Sequence, residues 1–533
     1  MILPNSEQMR QIDQCAINRF GIPSIVLMEN AGLGTVLLME RLLGPFKKNF
    51  VPIFIGPGNN GGDGLVIARH LHHRGWLPLL IFLINPDRLK GDSATNLAIV
   101  KKLDLPQTIC TNFDQIPALL SSLANQEAIN ATPAAIIDSI FGTGLDRNVE
   151  GHFKEIIGLI NKLSSEKDIP IISVDTPSGL SSDRGVILGT CVRADITTTY
   201  GYAKVGQVMA DSSDLTGELH VIDIGIPAEV ANHIPVLVGS IDRSDCRTFA
   251  NRLKRPANSH KGTFGHLLII GGAAGKTGAA ILAARGAMRS GCGLVSLCAP
   301  SGLNNIYETA LTEAMTIILN SSNIISIKDK EIILENLSDK NCIVLGPGIG
   351  RHPDTAELVV DLYNELETPM VIDADGLNIL SQFKDKLNHP PGPRIFTPHP
   401  GEMARMTGLT TSETQADRFT SLSKCFDQFQ TPGSELIILL KGGASLVSDG
   451  KTVRVNRTGN SSMATGGMGD VLSGLIGSLI CQGMSGYDAA NFGAFLHGFS
   501  GDRLDKKIGT GFNASELADD LAPALKNIMD DSK

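Results

Sequence analysis

The sequence predicts a two-domain α/β protein built on parallel sheets, and three observations carry that reading. Short apolar runs alternate with helix-like segments along most of the chain. Many of those runs end in glycine, asparagine or aspartate, the residues found where open α/β sheets place their ligands. The chain has 533 residues, more than one hydrophobic core serves at roughly 100–250 residues per domain.

In the first half the predicted strands are Val51–Ile55, Leu79–Leu83, Ala135–Ile137, Ile171–Val174 and Leu219–Ile222, ending in or near Gly56, Asn85, Asp138, Asp175 and Asp223. The rhythm lapses between Gly225 and Lys261, where Pro227, Pro235 and Pro256 stand among polar and basic residues. Expected domains are therefore 1–230 and 235–533. A second series follows, with strands Leu267–Ile270, Leu294–Leu297, Ile343–Leu345, Met370–Ile372 and Leu436–Leu440. Two helices rich in small residues, Gly469–Gln482 and Tyr487–Asp502, suit close packing.

Composition excludes several classes. With 42% hydrophobic and 19% charged residues, the chain is neither disordered nor fibrous. A net charge of -9 gives no basic footprint for nucleic acid, and the short basic stretch from Arg252 to Arg255 reads as a solvated linker. No run reaches the ~18 apolar residues of a membrane span, and the N-terminus lacks a signal peptide, so a cytoplasmic location is expected. The nine cysteines occur singly, without zinc or redox spacing, as reduced thiols do. His70, His72 and His73 cannot share one helical face, which argues against a metal cluster.

Three loops carry chemistry in the first half. Val51–Ile55 runs into Gly56-Pro57-Gly58-Asn59-Asn60-Gly61-Gly62-Asp63-Gly64 and then a helical pattern, Leu65 to His73. A glycine loop before a helix N-terminus can hold phosphate. A bare turn would need the glycines but not Asn59, Asn60 and Asp63. Farther on, Asp138 and Asp175 each precede small hydrogen-bonding residues, in Asp138-Ser139-Ile140-Phe141-Gly142-Thr143-Gly144-Leu145 and Asp175-Thr176-Pro177-Ser178-Gly179. Asn60, Asp138 and Ser178 supply hard oxygen ligands for a cation, and Asp175 supplies a base. Without a ligand, both aspartates would cap the following helices.

The second half is dominated by Asn460-Ser461-Ser462-Met463-Ala464-Thr465-Gly466-Gly467-Met468-Gly469-Asp470, leading into the helix Val471–Ile480. Glycines before a helix make an anion hole, and an aspartate at its start can take a proton from an attacking hydroxyl. Lys441-Gly442-Gly443-Ala444-Ser445 follows a strand and can hold a nucleotide phosphate. In Thr397-Pro398-His399-Pro400-Gly401-Glu402 a histidine is held between prolines, a setting for binding rather than packing.

These motifs resemble two known families. From about Ser6 to Gly225 the loops, in order, resemble the NAD(P)H-hydrate epimerases, which are Rossmann-like. The resemblance implies that hydrated NADH or NADPH binds at Asn59, Asn60, Gly61, Gly62, Asp63, Gly142, Thr143, Gly144, Leu145, Asp146, Arg147, Asn148 and Asp175. It also implies potassium (K+) at Asn60, Asp138 and Ser178, with Asp175 as catalytic base by position. From about Pro235 to Leu525, Ser259-His260-Lys261-Gly262, Gly271-Gly272, Gly346-Pro347-Gly348-Ile349-Gly350 and the loops above resemble the ribokinase-like NAD(P)H-hydrate dehydratases. There the hydrate is expected at Ala280, Gly348, Gly350, His399 and Asp470, and the adenine nucleotide at Lys441, Gly442, Gly443, Ala444, Ser445 and Gly469. Asp470 is the expected base for ADP-driven phosphorylation and elimination, with Mg2+ at that site. The fused order resembles bacterial members, which favours ADP over ATP, and a homo-oligomer acting only on small molecules is expected. A small-molecule kinase would explain the second half alone, and a nucleotide-sensing scaffold would need neither Asp470 nor Asp175.

Overall fold

The computed structural model describes residues 1–44, 50–130, 133–209 and 212–530. These fold into two compact units, one spanning Ile2–Val238 and the other, with Met1, running from Gly239 onward.

The first unit holds seven strands: β1 (Phe50–Ile55), β2 (Leu77–Phe82), β3 (Gln107–Ile109), β4 (Ile136–Ser139), β5 (Ile171–Val174), β6 (Ile196–Tyr200) and β7 (Glu218–Ile222). All pair in parallel, in the order β3-β2-β1-β4-β5-β6-β7. The chain therefore builds outward from β1, returns, and builds the other way from β4. At that reversal adjacent loops part, and open α/β sheets bind ligands there. β1 is buried along its whole length, with apolar clusters on both faces.

The second unit carries β8 (Val238–Ser240), β9 (His266–Ile270), β10 (Leu294–Pro300), β11 (Met315–Leu319), β12 (Cys342–Leu345), β13 (Met370–Ile372), β14 (Arg394–Phe396), β15 (Leu436–Leu440), β16 (Leu446–Ser448) and β17 (Val453–Val455). Their order is β11-β10-β9-β12-β13-β14-β15-β16-β17-β8. The block from β11 to β15 is parallel, and β16 and β17 join antiparallel. The same reversal recurs, between β9 and β12.

Each expected strand is present within a few residues. Two of those not expected have sequences that hide them. Ile196–Tyr200 is a fully buried strand whose middle is three threonines; β-branching suits the pleat, and the hydroxyls find acceptors, as Thr197 does at the Thr216 carbonyl, 2.7 Å. In β14, Arg394 is fully buried and donates to the carbonyls of Tyr363 (2.8 Å) and Leu366 (2.6 Å).

The glycine loop after β1 is the main correction. The expected helix start at Leu65 lies six residues earlier, at Asn59, and none of Gly56, Gly58, Gly61, Gly62 or Gly64 has a positive φ. Their purpose is approach rather than turning. A Cβ on Gly61 would lie 2.3 Å from the Gly56 carbonyl oxygen, and one on Gly64 would lie 2.2 Å from Ser139 Oγ at the end of β4. Backbone contact of this kind also seats the helix Met468–Cys481 on the helix Thr277–Arg289: a Cβ on Gly474 would meet the Ala283 carbonyl at 1.9 Å, and one on Gly286 the Val471 carbonyl at 2.4 Å. Gly474→Ala is expected to cost about 1–3 kcal/mol or more through overpacking, read as a lowered denaturant midpoint for the second unit.

Candidate functional site

In the first unit a cavity of about 890 Å³ opens at the reversal between β1 and β4, within the span of about 300–1,000 Å³ usual for small-molecule sites. Pro57, Gly58, Asn59 and Asn60 form part of its wall. Gly58 caps the helix Asn59–His73 with no side-chain acceptor, and the N–H groups of Asn59, Asn60 and Gly61 find no acceptor among the described residues. Unpaired donors at a helix start attract phosphate. Of the expected contacts, Asn59, Asn60, Asp63, all of 142–148 and Asp175 line the cavity. Gly61 and Gly62 instead face protein, Gly62 against Met28 and Ser93.

Asp138 and Ser178 lie beneath the wall, both fully buried. The Asp138 carboxylate accepts from Ser178 Oγ (2.5 Å), the Ser178 N–H (2.9 Å) and Ser173 Oγ (2.8 Å). Burial pushes its pKa up against these bonds. Among the described residues no cationic side chain pairs with it. The Asn60 carboxamide is 7% exposed, and among the described residues neither its Oδ1 nor its Nδ2 has a protein partner. A buried carboxylate and an amide oxygen left free by the described residues are donors of the kind a monovalent cation takes.

Asp175, the expected base, is fully engaged. It stands at a φ of +63°, its Oδ1 accepting from Lys204 Nζ at 2.6 Å and its Oδ2 from the Thr143 N–H (2.9 Å) and Oγ1 (2.5 Å). Burial opposes ionisation, but the Lys204 ammonium and the Thr143 donors outweigh it and hold the carboxyl below its ordinary range. Such a group accepts hydrogen bonds and resists protonation, so as a proton-transfer base it is badly poised. Lys204, 1% exposed, was not anticipated; it follows Tyr200-Gly201-Tyr202-Ala203, which carries no recognisable signal. Its remaining protons go to Thr199 Oγ1 (2.8 Å) and the Tyr200 carbonyl (3.2 Å). Two further carboxyl groups, Asp13 and Asp63, share the cavity wall with this pair.

The second site forms where β12 to β15 end. Ala374 follows β13 at a φ of +53°, separating two aspartates. Asp373, 1% exposed, accepts from Lys441 Nζ at 2.7 Å. Asp375 holds the glycine loop after β12, accepting from the Gly350 N–H (3.2 Å), Arg351 Nε (2.9 Å) and Lys276 Nζ (2.9 Å). Gly348 abuts the helix Thr277–Arg289, on which Ala280 is fully buried.

His399 caps the helix Pro400–Thr407: its Nδ1 accepts from the N–H of Gly401 (3.0 Å) and of Glu402 (3.3 Å), while Glu402 accepts from the His399 N–H at 2.8 Å. The proline setting thus serves a capping box as well as leaving the imidazole half exposed. Burial, Lys441 and Arg405 lower its pKa, so the ring is neutral and Nε2 carries the proton. Glu402 lies 4.0 Å from Lys441 Nζ. Gly469 crosses directly over this pair, since a Cβ there would lie 3.1 Å from Lys441 Nζ. In the first turn of the same helix, Asp470 is pushed up to about 7 by burial and by Asp373, with Lys441 opposing and Glu402 adding.

The loop 441–445 is organised by Arg418, which sequence reading missed. Its guanidinium donates to the carbonyls of Leu440 (3.0 Å), Lys441 (3.1 Å), Gly443 (2.5 Å) and Ala444 (3.1 Å). With the carbonyls turned to Arg418, the N–H groups of Gly442, Gly443 and Ala444 find no acceptor among the described residues. That is an anion cradle beside Asp470's helix start. The stretch Ser259–Gly262 does other work: His260 caps the short turn Lys261–Phe264.

Comparison with known proteins decides the family. Residues 24–206 match the profile described as YjeF-related protein N-terminus, and residues 267–523 that of NAD(P)H-hydrate dehydratase. A bifunctional NAD(P)H-hydrate repair enzyme of Moorella thermoacetica is 38% identical over all of this chain and 98% of its own length. The chain belongs to the bifunctional NAD(P)H-hydrate repair enzyme family. Its Dictyoglomus turgidum member is 33% identical across 99% of each chain. A solved ADP/ATP-dependent NAD(P)H-hydrate dehydratase from Bacillus subtilis, co-crystallized with ATP/Mg2+, aligns at 29% identity and a TM-score of 0.47, covering 55% of this chain and 99% of that one.

Lys204→Met is expected to destabilise the first unit by about 3–5 kcal/mol near neutral pH, because it strands the Asp175 carboxylate in the interior. The sign with pH follows. In the wild type the folded Asp175 titrates below its unfolded value, so its contribution is present above the ordinary carboxylate range and lost on acidification. Without Lys204 the folded value rises instead, and the deficit should shrink as pH falls toward 4, measured by urea unfolding across that range.

Proposed function

We propose that this chain performs both reactions of its family: the first unit interconverts the R and S forms of hydrated NADH and NADPH, and the second dehydrates the S form while ADP becomes AMP and phosphate. The observation that carries the reading is Asp470, placed at a helix start beside Lys441 and the unpaired N–H groups of the 442–444 loop. Hydroxide leaves poorly from a ring carbon at neutral pH. Asp470 takes the proton of the ring hydroxyl, the oxygen attacks the terminal phosphorus of the nucleotide and displaces AMP, and the resulting ester loses phosphate while the adjacent ring carbon gives up a proton to solvent, which restores the ring double bond. Lys441 and the loop amides hold the phosphates as charge moves onto them. Gly348, Gly350, Ala280 and the Nε2–H of His399 shape and orient the hydrate, and Gly469 leaves the phosphates free access to Lys441.

Mg2+ belongs to this proposal as the ion that would travel with the nucleotide phosphates, which would supply most of its ligands. K+ belongs to the first unit, where Asn60, Asp138 and Ser178 would hold it and it would supply positive charge for an anionic substrate. The nine free thiols support a cytoplasmic location. Exposed Ile306, Met315 and Ile318 on and beside the edge strand β11 support a homo-oligomer.

The test is incubation with an R/S mixture of hydrated NADH, ADP, Mg2+ and K+, following the absorbance of reduced nicotinamide. Recovery of both fractions is expected; an R fraction converting no faster than spontaneously would sink the epimerase half. Asp470→Asn should cut dehydration about 100- to 10,000-fold. Because the base must be ionised, wild-type kcat/KM should rise with pH and level above about 7. Removing the opposing ammonium with Lys441→Met should move that rise to higher pH, and an unmoved profile would detach it from Asp470.

A further inference from the structure

The epimerase half lacks a base once Asp175 is engaged, and the cavity wall offers another group. Asp13 lies on the helix Ser6–Asn18 and Asp63 on the helix Asn59–His73, and both line the cavity with Asp175 and Lys204. Asp63 is 9% exposed. Neither Asp13 nor Asp63 has a hydrogen bond or ion pair within the chain among the described residues. Lys204 has already committed its three protons to Asp175, Thr199 and the Tyr200 carbonyl.

Asp13, Asp63 and Asp175 therefore lie within electrostatic reach of one buried ammonium, Lys204. They cannot all ionise together. Asp175, held by Lys204, is the ionised one. Asp63 is pushed well up by burial, then by Asp175 and Asp13, with Lys204 opposing. Asp13 is raised to about 6 by burial, Lys204 opposing and Asp175 reinforcing, so both of its states are accessible near neutrality. Arg10, one turn before it on the same helix, also reaches the cavity wall. Leaving the buried Asp63 carboxyl and the half-buried Asp13 carboxyl without protein partners costs stability, which a binding wall has no need to spend.

We propose that Asp13 is the catalytic acid/base of the first unit, with Asp63 as the neighbouring carboxyl on the cavity wall and Asp175 as a fixed hydrogen-bond acceptor for the hydrate. The inference rests on the epimerase reading above. Ionised Asp13 takes the proton from the hydroxyl on the hydrated ring carbon. The oxygen's electrons form the aldehyde C=O as the carbon–nitrogen ring bond breaks, its pair passing to the ring nitrogen, which takes the proton back from Asp13. The aldehyde turns, the nitrogen re-adds to its other face, and Asp13 carries the proton in the reverse sense. No atom is gained or lost and no redox change occurs.

The experiment uses the full chain, whose dehydratase unit is an internal control. R-to-S conversion of hydrated NADH is followed chromatographically from pH 5 to 8, and ADP-dependent dehydration of the S form is measured on the same preparations. Asp13→Asn should slow epimerisation at least about 100-fold and abolish the rise in wild-type rate near pH 6, with dehydration unchanged and the unfolding temperature equal or higher. Asp13→Glu, which keeps the carboxyl, should run at least tenfold faster than the Asn variant. An Asn variant within threefold of wild type with the same pH profile overturns the proposal, as does a Glu variant no faster than Asn when both unfold like wild type. Wild type failing to accelerate R-to-S conversion takes down the epimerase reading itself, and this inference with it.

Discussion

In both units the helix that begins the site lies against strand ends at a distance only glycine allows. Gly61 and Gly64 bring the helix Asn59–His73 onto the ends of β1 and β4, and Gly469 carries the start of Met468–Cys481 across Lys441 and Asp373. Everything chemical follows from that proximity. A helix start pressed into the sheet's edge leaves its first N–H groups unpaired at the mouth of a crevice, where they attract phosphate. It also drives carboxylates on the helix, Asp63 in one unit and Asp470 in the other, into the low-dielectric floor of the site.

The second common feature is charge. Lys204 faces Asp175, Asp63 and Asp13, and Lys441 faces Asp373, Glu402 and Asp470. One ammonium neutralises one carboxylate of each trio, and the remainder must share the cost of burial. The result in each unit is an acid with a pKa near neutrality, about 6 for Asp13 and about 7 for Asp470. Two sheets with different strand orders arrive at the same solution because the physical problem is the same: holding a proton acceptor ready at pH 7 next to anionic substrate.

Much of the scaffold was legible in the chain. Fully buried parallel strands such as Phe50–Ile55 and Leu436–Leu440 are continuous apolar runs, and the glycine- and aspartate-bearing loops stand directly after them. The loops 138–145 and 441–445, and Asp470, emerged from spacing and residue type, while the extension to Asn148 came from the family resemblance. What failed was local geometry and distant pairing. Six residues read as loop are helix because their glycines answer to Met28, Ser93 and Ser139, none of them nearby in sequence. Ile196–Tyr200 hides as a strand because its threonines satisfy their hydroxyls only in the folded sheet.

The sequence by itself determined the alternation of strands and helices, the loops at strand ends and the family to which they belong, since each is a pattern written over a few neighbouring residues. Only the tertiary structure decided which acid is free to move a proton. Asp175 and Asp13 are equivalent as letters; the fold brings Lys204 and Thr143 to one and, among the described residues, no side-chain hydrogen-bond partner to the other. Arg418 and Lys204 were likewise ordinary basic residues until folding placed them beneath a loop and between carboxylates. A side chain's charge state depends on burial and on neighbours across tens to hundreds of residues, and those exist only once the chain has folded.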